Sequence, residues 1–543
     1  MKKKNLTIIC ALAMAMTLSA CGQSTTTTTT ESATTETTTA ESTATEASTS
    51  ENTTDKNASD NTDIENTETS ASADSNEASS VENAENNQTP PDKPDGDDNS
   101  DRQTPPDKPD GDDNSNGQTP PDKPDGDSGQ GQGAPGGGSF GGSGEVTQGD
   151  SANTIDSDGT YSSETYSSTG DDENALRVDG ATVTLDGITI DKSAGSSSNT
   201  EDGDFYGMNA ALLATNGATV TIKNANVTSS AQNGNGVFSY GSGTTVNISD
   251  STITTTADNS GGIQTTGGGT TNASNLKVTT SGNSAAAIRS DRGGGTVNVD
   301  SGTYTSNGYN SPAVYSTADI TVKNAELTAN NSEALVIEGE NSIALEDCTV
   351  YGNMSDTKGT SSDENVHNVM IYQSMSGDAE VGTSSFTMTG GSLTSNNGDM
   401  FYITNTNCTL SLTNVKLTNK DSDGYLLNVT GNSASHGWGS AGSNGAQVTF
   451  TANKQTLEGD IRVDSISTLD MTLSGSSTFT GTINVVDNED GGTAVSDNAV
   501  ITINDGSTWN LTGDCVISSL TNNGTINFNG YTITLADGTV LSE

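Results

Sequence analysis

The stretch Thr-Val-Thr-Ile-Lys-Asn-Ala-Asn-Val (219–227) returns as Thr-Val-Asn-Ile-Ser-Asp-Ser-Thr-Ile (245–253), Thr-Thr-Asn-Ala-Ser-Asn-Leu-Lys-Val (270–278) and Thr-Val-Asn-Val-Asp-Ser-Gly-Thr-Tyr (296–304). Two further versions occupy 320–327 and 342–350. Each alternates apolar and polar side chains, breaks at an Asn, Asp, Ser or Gly, and alternates again. Alternation with period two is the pattern of a strand with one buried face. The breaking residues tolerate the left-handed backbone of a sharp bend. Taking that residue as marker gives Asn224, Asp250, Asn275, Ser301, Asn324 and Asp347, spaced by 26, 25, 26, 23 and 23 residues. A fixed period in this range, built of strand and turn alone, predicts an all-β solenoid of stacked coils.

The pattern extends both ways. Residues 182–190 supply an earlier coil with Gly187 at the bend, and 386–393 and 410–417 supply later ones with Gly390 and Asn414. Looser versions start at 448, 471, 501 and 526, for about 13 coils in all. At roughly 4.8 Å per coil the rod would be about 60 Å long. Longer gaps at 191–208, 355–385, 431–447 and 487–498 are insertions, expected as loops on the flanks. The Gly-Gly-Gly runs at 267–269 and 293–295 occupy matching places between strands and read as turns. No stretch has a sustained helical period, which excludes nucleotide sites of the two-layer α/β kind.

Composition agrees. Of 543 residues only 29% are apolar and 4% aromatic, too few to fill several round cores but enough to line coils. The net charge of −51 argues against nucleic acid and anionic lipid as partners. A polyanionic ligand would need a local basic patch or a bridging divalent cation such as calcium, although no motif demands one. Three cysteines lie outside the leader, Cys348, Cys408 and Cys515; none sits in a CxxC pair, and no disulfide framework or zinc site is implied. His367 and His436 fall in inserted loops and read as surface residues.

Residues 1–21 form a signal segment: Lys2, Lys3 and Lys4, an apolar run too short to span a bilayer, then Leu-Ser-Ala-Cys at 18–21. That tetrapeptide resembles the lipobox of bacterial lipoproteins, which implies lipidation of Cys21 and anchoring on the outer side of the cell membrane. From 22 to 145 the chain is rich in Thr, Ser and Glu and then in Pro, Asp and Gly, with Gln-Thr-Pro-Pro-Asp-Lys-Pro-Asp-Gly-Asp at 88–97, 103–112 and 118–127. Such composition predicts a disordered spacer. The solenoid domain takes 146–543.

The coil length and the Asn-bearing bend resemble the right-handed parallel β-helix of the pectate-lyase-like superfamily and of bacterial surface adhesins. A local resemblance at 506–528 is to the end of autotransporter passenger helices, which implies an end cap.

The strand before each bend can be aligned across coils, giving two outward columns: Leu213, Phe238, Gln264, Arg289, Tyr315, Val336, Ile371 and Tyr402, and Thr215, Tyr240, Thr266, Asp291, Thr317, Glu338, Gln373 and Thr404. They hold the candidate ligand-binding residues. Phe238, Tyr240, Tyr315 and Tyr402 would stack on sugars, while Arg289, Asp291, Arg292 and Glu338 would bond hydroxyls or a carboxylate. The expected function is binding of an extracellular polysaccharide or host glycoprotein along this face. Two other readings of the same columns stand beside it: flanking loops such as 191–208 or 355–385 fold back and bury the apolar members, and Asp291 with Arg289 and Arg292 forms a local charge network. The resemblance also implies an alternative activity, a calcium-dependent polysaccharide lyase using Arg289 near Asp291 and Glu338. A structural spacer with no ligand is the third reading.

Overall fold

The computed structural model describes residues 146–355 and 365–543. These residues form stacked parallel sheets, a parallel β-helix. One sheet has 16 strands and every pairing in it is parallel except the last, Ile533–Leu535 with Val540–Leu541. A 21-stranded sheet carries the repeated phrases; Asn224, Asp250 and Asp347 each divide theirs into two strands, while the phrases at Asn275, Ser301 and Asn324 run through the marker as one long strand. A 4-stranded sheet joins them in the last coils. The stack is longer than the repeat alone suggested, because the earliest coils around Gly159–Ser162 and Leu176–Asp179 lack the phrase yet pair in register.

The repeat sets the register. Thr219, Thr245, Thr270 and Thr296 pair in succession, as do Val220, Val246, Thr271 and Val297 beneath them. All six expected bend residues have left-handed backbone, with φ between 49° at Asn275 and 68° at Ser301. Their amides also run between coils: Asn224 Nδ2 donates to Asp186 Oδ1 at 2.8 Å and Asn275 Nδ2 to Asp250 Oδ1 at 2.8 Å. The bend therefore serves twice, as a turn and as a ladder rung. The glycine runs are turns as expected: a Cβ at Gly293 would come within 2.9 Å of the Gly267 Cα one coil away. Only glycine lets these turns stack so closely.

One apolar core runs without interruption from Ile155 to Ile533. Cys348, Cys408 and Cys515 are buried in it as free thiols. At the far end Trp509 stacks on Phe479 at 5.7 Å and donates Nε1–H to the Gly481 carbonyl at 3.0 Å. The leader with Cys21 and the spacer to residue 145 lie outside the described residues.

Candidate binding site

The face in question belongs to the 16-stranded sheet, here numbered from β1 (Leu212–Thr215) through β2 (Val237–Tyr240), β3 (Ile263–Thr266), β4 (Ile288–Ser290) and β5 (Val314–Ser316) to β6 (Leu335–Glu338), β7 (His367–Tyr372) and β8 (Asp399–Thr404). The outward column is aligned as expected from β1 to β6: Phe238 pairs with Leu213 and Gln264, Arg289 with Gln264 and Tyr315, and Tyr315 with Val336. At β7 the expected register is off by one. Val336 meets Met370 and Glu338 meets Tyr372, so Met370 and Tyr372 point outward while Ile371 points into the core. The run Val-Met-Ile-Tyr is apolar throughout, so it lacks the alternation that fixes which face goes in.

The column is not open to solvent. Residues 191–208 fold back over it and form the one helix among the described residues, α1 (Thr200–Tyr206). Its start is ordinary: Asn199 caps it by accepting from the Glu201 N–H at 3.0 Å, and Glu201 and Asp202 sit where the helix dipole favours acid. Gly207, with φ of 80°, ends it. Its four terminal carbonyls, left without intrahelical partners, find them on or beside the sheet. Asn235 Nδ2 donates to the Gly203 carbonyl at 3.4 Å, Gln264 Nε2 to that of Asp204 at 2.6 Å, Thr266 Oγ1 to that of Phe205 at 2.6 Å, and Gln148 Nε2 to that of Tyr206 at 3.0 Å. The outward side chains of β3 thus serve as a receptor for the helix.

This cover corrects the expected exposure of several candidates. Phe238 is fully buried with Leu213 and Ala210, and cannot stack on a sugar. Tyr240 is half-buried, edge-on to Tyr206 of α1 at 5.6 Å. Tyr402 is 2% exposed and packs with Val336, Met370, Tyr372 and Trp438, the last from the 431–447 insertion. His367 is also fully buried, at the start of β7, 5.3 Å from the Tyr402 ring; it is not a surface residue. Burial pushes its pKa down to about 4.

Of the expected charge network Arg289 and Asp291 pair, while the Arg292 guanidinium turns to Asp378. Arg289 Nη2 contacts Asp291 Oδ2 at 2.7 Å and Asp204 Oδ2 of α1 at 3.2 Å, while Nη1 reaches the Ser284 carbonyl at 3.3 Å. Burial opposes the Arg289 charge, but the two carboxylates outweigh it and hold the guanidinium above its usual range. Burial pushes Asp291 up to about 7 against the pull of Arg289. Arg292 lies over the Phe205 ring at 4.0 Å and pairs with Asp378 at 2.8 Å. Glu338, 1% exposed, accepts from Tyr315 Oη at 2.5 Å, from Tyr372 Oη at 3.0 Å and from Ser374 Oγ. Burial raises its pKa, and these three hydroxyls oppose the rise.

Between α1 and the starts of β4 to β6 remains a cavity of about 220 Å3, walled by Asp204, Arg289, Tyr315, Glu333 and Tyr372 with Asn310 at its side. A second hollow of about 280 Å3 follows along the sheet at Tyr402, Asn428, Asn432 and Arg462. Of the expected candidates, Arg289 and Tyr315 reach the first and Tyr402 the second. Asp291 and Glu338 stand behind as supports, while Arg292 lines a separate hollow with Asp319, Glu340 and Asp378.

Asp204, Glu333 and Tyr372 were not anticipated. Asp204 had a readable signal, since Asn199, Glu201, Asp202 and Gly207 are spaced as the two ends of a short helix. Glu333 had none, because a turn residue two places before a strand has no pattern to show it faces a cavity. Among the described residues no group of three or more His, Cys, Asp or Glu is arranged to hold a metal. Asp204, Asp291 and Asp378 meet guanidinium groups and Glu338 accepts from hydroxyls. No protein-family model, curated protein or solved structure matches the chain.

Proposed function

We propose that this chain is a lipid-anchored surface protein that binds an extracellular polysaccharide or glycoprotein glycan, seating one sugar unit in the cavity between α1 and β4–β6. The observation that carries this reading is the cavity wall itself. It sets two tyrosine rings, Tyr315 and Tyr372, beside polar groups whose positions are fixed by buried partners. Aromatic faces with a few placed hydrogen-bonding groups are what a sugar site needs. Its volume, about 220 Å3, falls below the roughly 300 Å3 at which drug-sized sites begin, and so suits one ring and not a segment of chain. The glycan is therefore held by a unit or an end, in place of lying along the open rod.

The lyase alternative draws no support from this geometry. A base must be free to take a proton, and Arg289 is occupied by Asp204 and Asp291, both of which strengthen its hold on its own.

Two experiments test the proposal. On a glycan array, the full chain should bind a defined subset, and Tyr315→Ala with Tyr372→Ala should abolish that binding while circular dichroism stays unchanged. Binding that survives the pair would refute the site. For the anchor, labelled palmitate should enter the chain in cells and Cys21→Ala should abolish the label; a label that persists would refute lipidation at that residue.

A further inference from the structure

The charges around the cavity select among sugars, an inference that rests on the glycan-binding reading above and narrows it. Glu333 stands in the turn before β6, 1% exposed, and forms part of the cavity wall. Ser332 Oγ donates to its Oε2 at 2.5 Å, and its Oε1 has no hydrogen-bond partner. A buried carboxyl oxygen without a donor is costly, and a buried carboxylate without a counter-charge more so.

The neighbourhood offers no remedy from the chain. The Arg289 guanidinium is shared between Asp204 and Asp291, and Arg292 is paired with Asp378. Glu338 is held by hydroxyls alone. Once these pairs are set aside, Glu333 and Glu338 are two buried carboxyls with no cation beside them. A uronic acid entering here would bring like charge to both. An uncharged sugar would give Glu333 a donor and no charge. A protonated amine supplies both at once, and charge-assisted hydrogen bonds are about twice as strong as neutral ones.

From this arrangement we infer that the cavity takes an amino sugar with a free amine, a de-N-acetylated hexosamine unit, whose ammonium group is received by Glu333. N-acetylation would remove the charge and add bulk to a cavity of about 220 Å3, so the acetylated sugar is disfavoured on both counts.

Calorimetric titration of the full chain tests this with four β-1,4-linked or corresponding tetrasaccharides: glucosamine, N-acetylglucosamine, glucose and galacturonic acid. The glucosamine tetramer should bind about tenfold tighter than the glucose tetramer, the worth of one hydrogen bond to a charged group, and galacturonate should bind weakest. Glu333→Gln should remove that preference, so that the variant binds the glucosamine and glucose tetramers alike, with a melting temperature at or above that of the parent chain. A preference that persists in Glu333→Gln, or tighter binding of glucose or galacturonate, overturns the amine assignment and leaves the proposed function standing. Binding of none of the four overturns both. Spermidine that displaces the glucosamine tetramer at equal concentration shows a cation site with no sugar selectivity, which also overturns it. The ranking is read on the unaltered chain, so the outcome does not depend on the stability of the variant.

Discussion

Arg289 is the latch between α1 and the sheet, and replacing it by Met should free the helix without unwinding the coils. The three side chains of the latch are nearly buried, Arg289 at 12%, Asp204 at 13% and Asp291 at 6%. Removing the arginine leaves two carboxylates close together with no counter-charge, for which about 3–5 kcal/mol is the usual cost of breaking a buried pair. The core beneath is untouched, because Arg289 points outward and Ile288 inward. The cost therefore falls on docking of 191–208, and each 1.4 kcal/mol is about tenfold in the open population. Limited proteolysis under conditions of fast opening and closing should accelerate cleavage within 191–208 by two to three orders of magnitude or somewhat more, with little change at 459–480. The triple variant Arg289→Met, Asp204→Asn, Asp291→Asn removes the stranded charges and should recover most of the protection. Cleavage within threefold of the parent chain in Arg289→Met, or a triple variant no better protected than the single one, would refute the latch.

Phe238→Ala should cost about 3–5 kcal/mol in urea unfolding, as for a filled core site, against the ±0.5 kcal/mol typical of a surface position; a change under about 1 kcal/mol would mean α1 does not cover it. At Asn275, where φ is 49°, glycine should be close to neutral and alanine should cost on the order of 1–2 kcal/mol, so equal stability of the two variants would count against the left-handed bend. His367 has a folded pKa near 4 against 6.5 when exposed, so its contribution is complete above pH 6.5 and is lost as pH falls toward 4. That amounts to about 3 kcal/mol, and His367→Gln should flatten the difference in stability between pH 7 and pH 4 by a comparable amount. Burial raises Glu333, so the folded chain holds a proton that the unfolded chain releases first; its contribution is complete below about pH 4.5 and fades as pH rises. Glu333→Gln should accordingly stabilise the chain at pH 8 relative to pH 4, and a pH-independent difference would contradict the raised pKa.

The fold was legible because it is written locally and repeatedly. Each phrase carries its own alternation and bend residue, and Asn224, Asp250, Asn275, Ser301, Asn324 and Asp347 all have the backbone their side chains favour. The aligned columns followed from the same pattern as far as β6. They failed at β7, where a four-residue apolar run gives no period to read, and Met370 and Tyr372 stand where the columns had Ile371 and Gln373. The exposure of the columns stood open between a bare face and cover by a flanking loop such as 191–208, and cover is what forms; the cause of that ambiguity is different. Whether Phe238 sees water depends on 191–208, which is distant from it in sequence and carries no repeat. The pairing of Arg289 with Asp291 was readable as a possibility, but not the two further carboxylates, Asp204, which arrives with the helix, and Asp378, which takes Arg292.

This division follows from the physics of a solenoid. Each coil gains its stability from its two neighbours, so the core tolerates almost any outward residue. The outward residues are then constrained only by what lies on them. At β3 those residues are Gln264 and Thr266, two side chains of ordinary polarity in a strand, and both are used to satisfy carbonyls at the end of α1. At β4 and the turn after it they are Arg289 and Asp291, which meet Asp204. At β5 and β6 they are Tyr315 and Glu338, bonded to each other and to Tyr372 and Ser374. The polar identity of the column changes where the covering segment changes, from helix to cavity to the loop after β7. The cavity thus sits at the seam between two insertions, and the coils beneath it set only its spacing. Swapping 191–208 for a short turn should therefore leave the core intact, expose Phe238 and Tyr240, and abolish glycan binding, which dye binding and the array would show together; a chain that loses the segment and still binds would move the site off this seam.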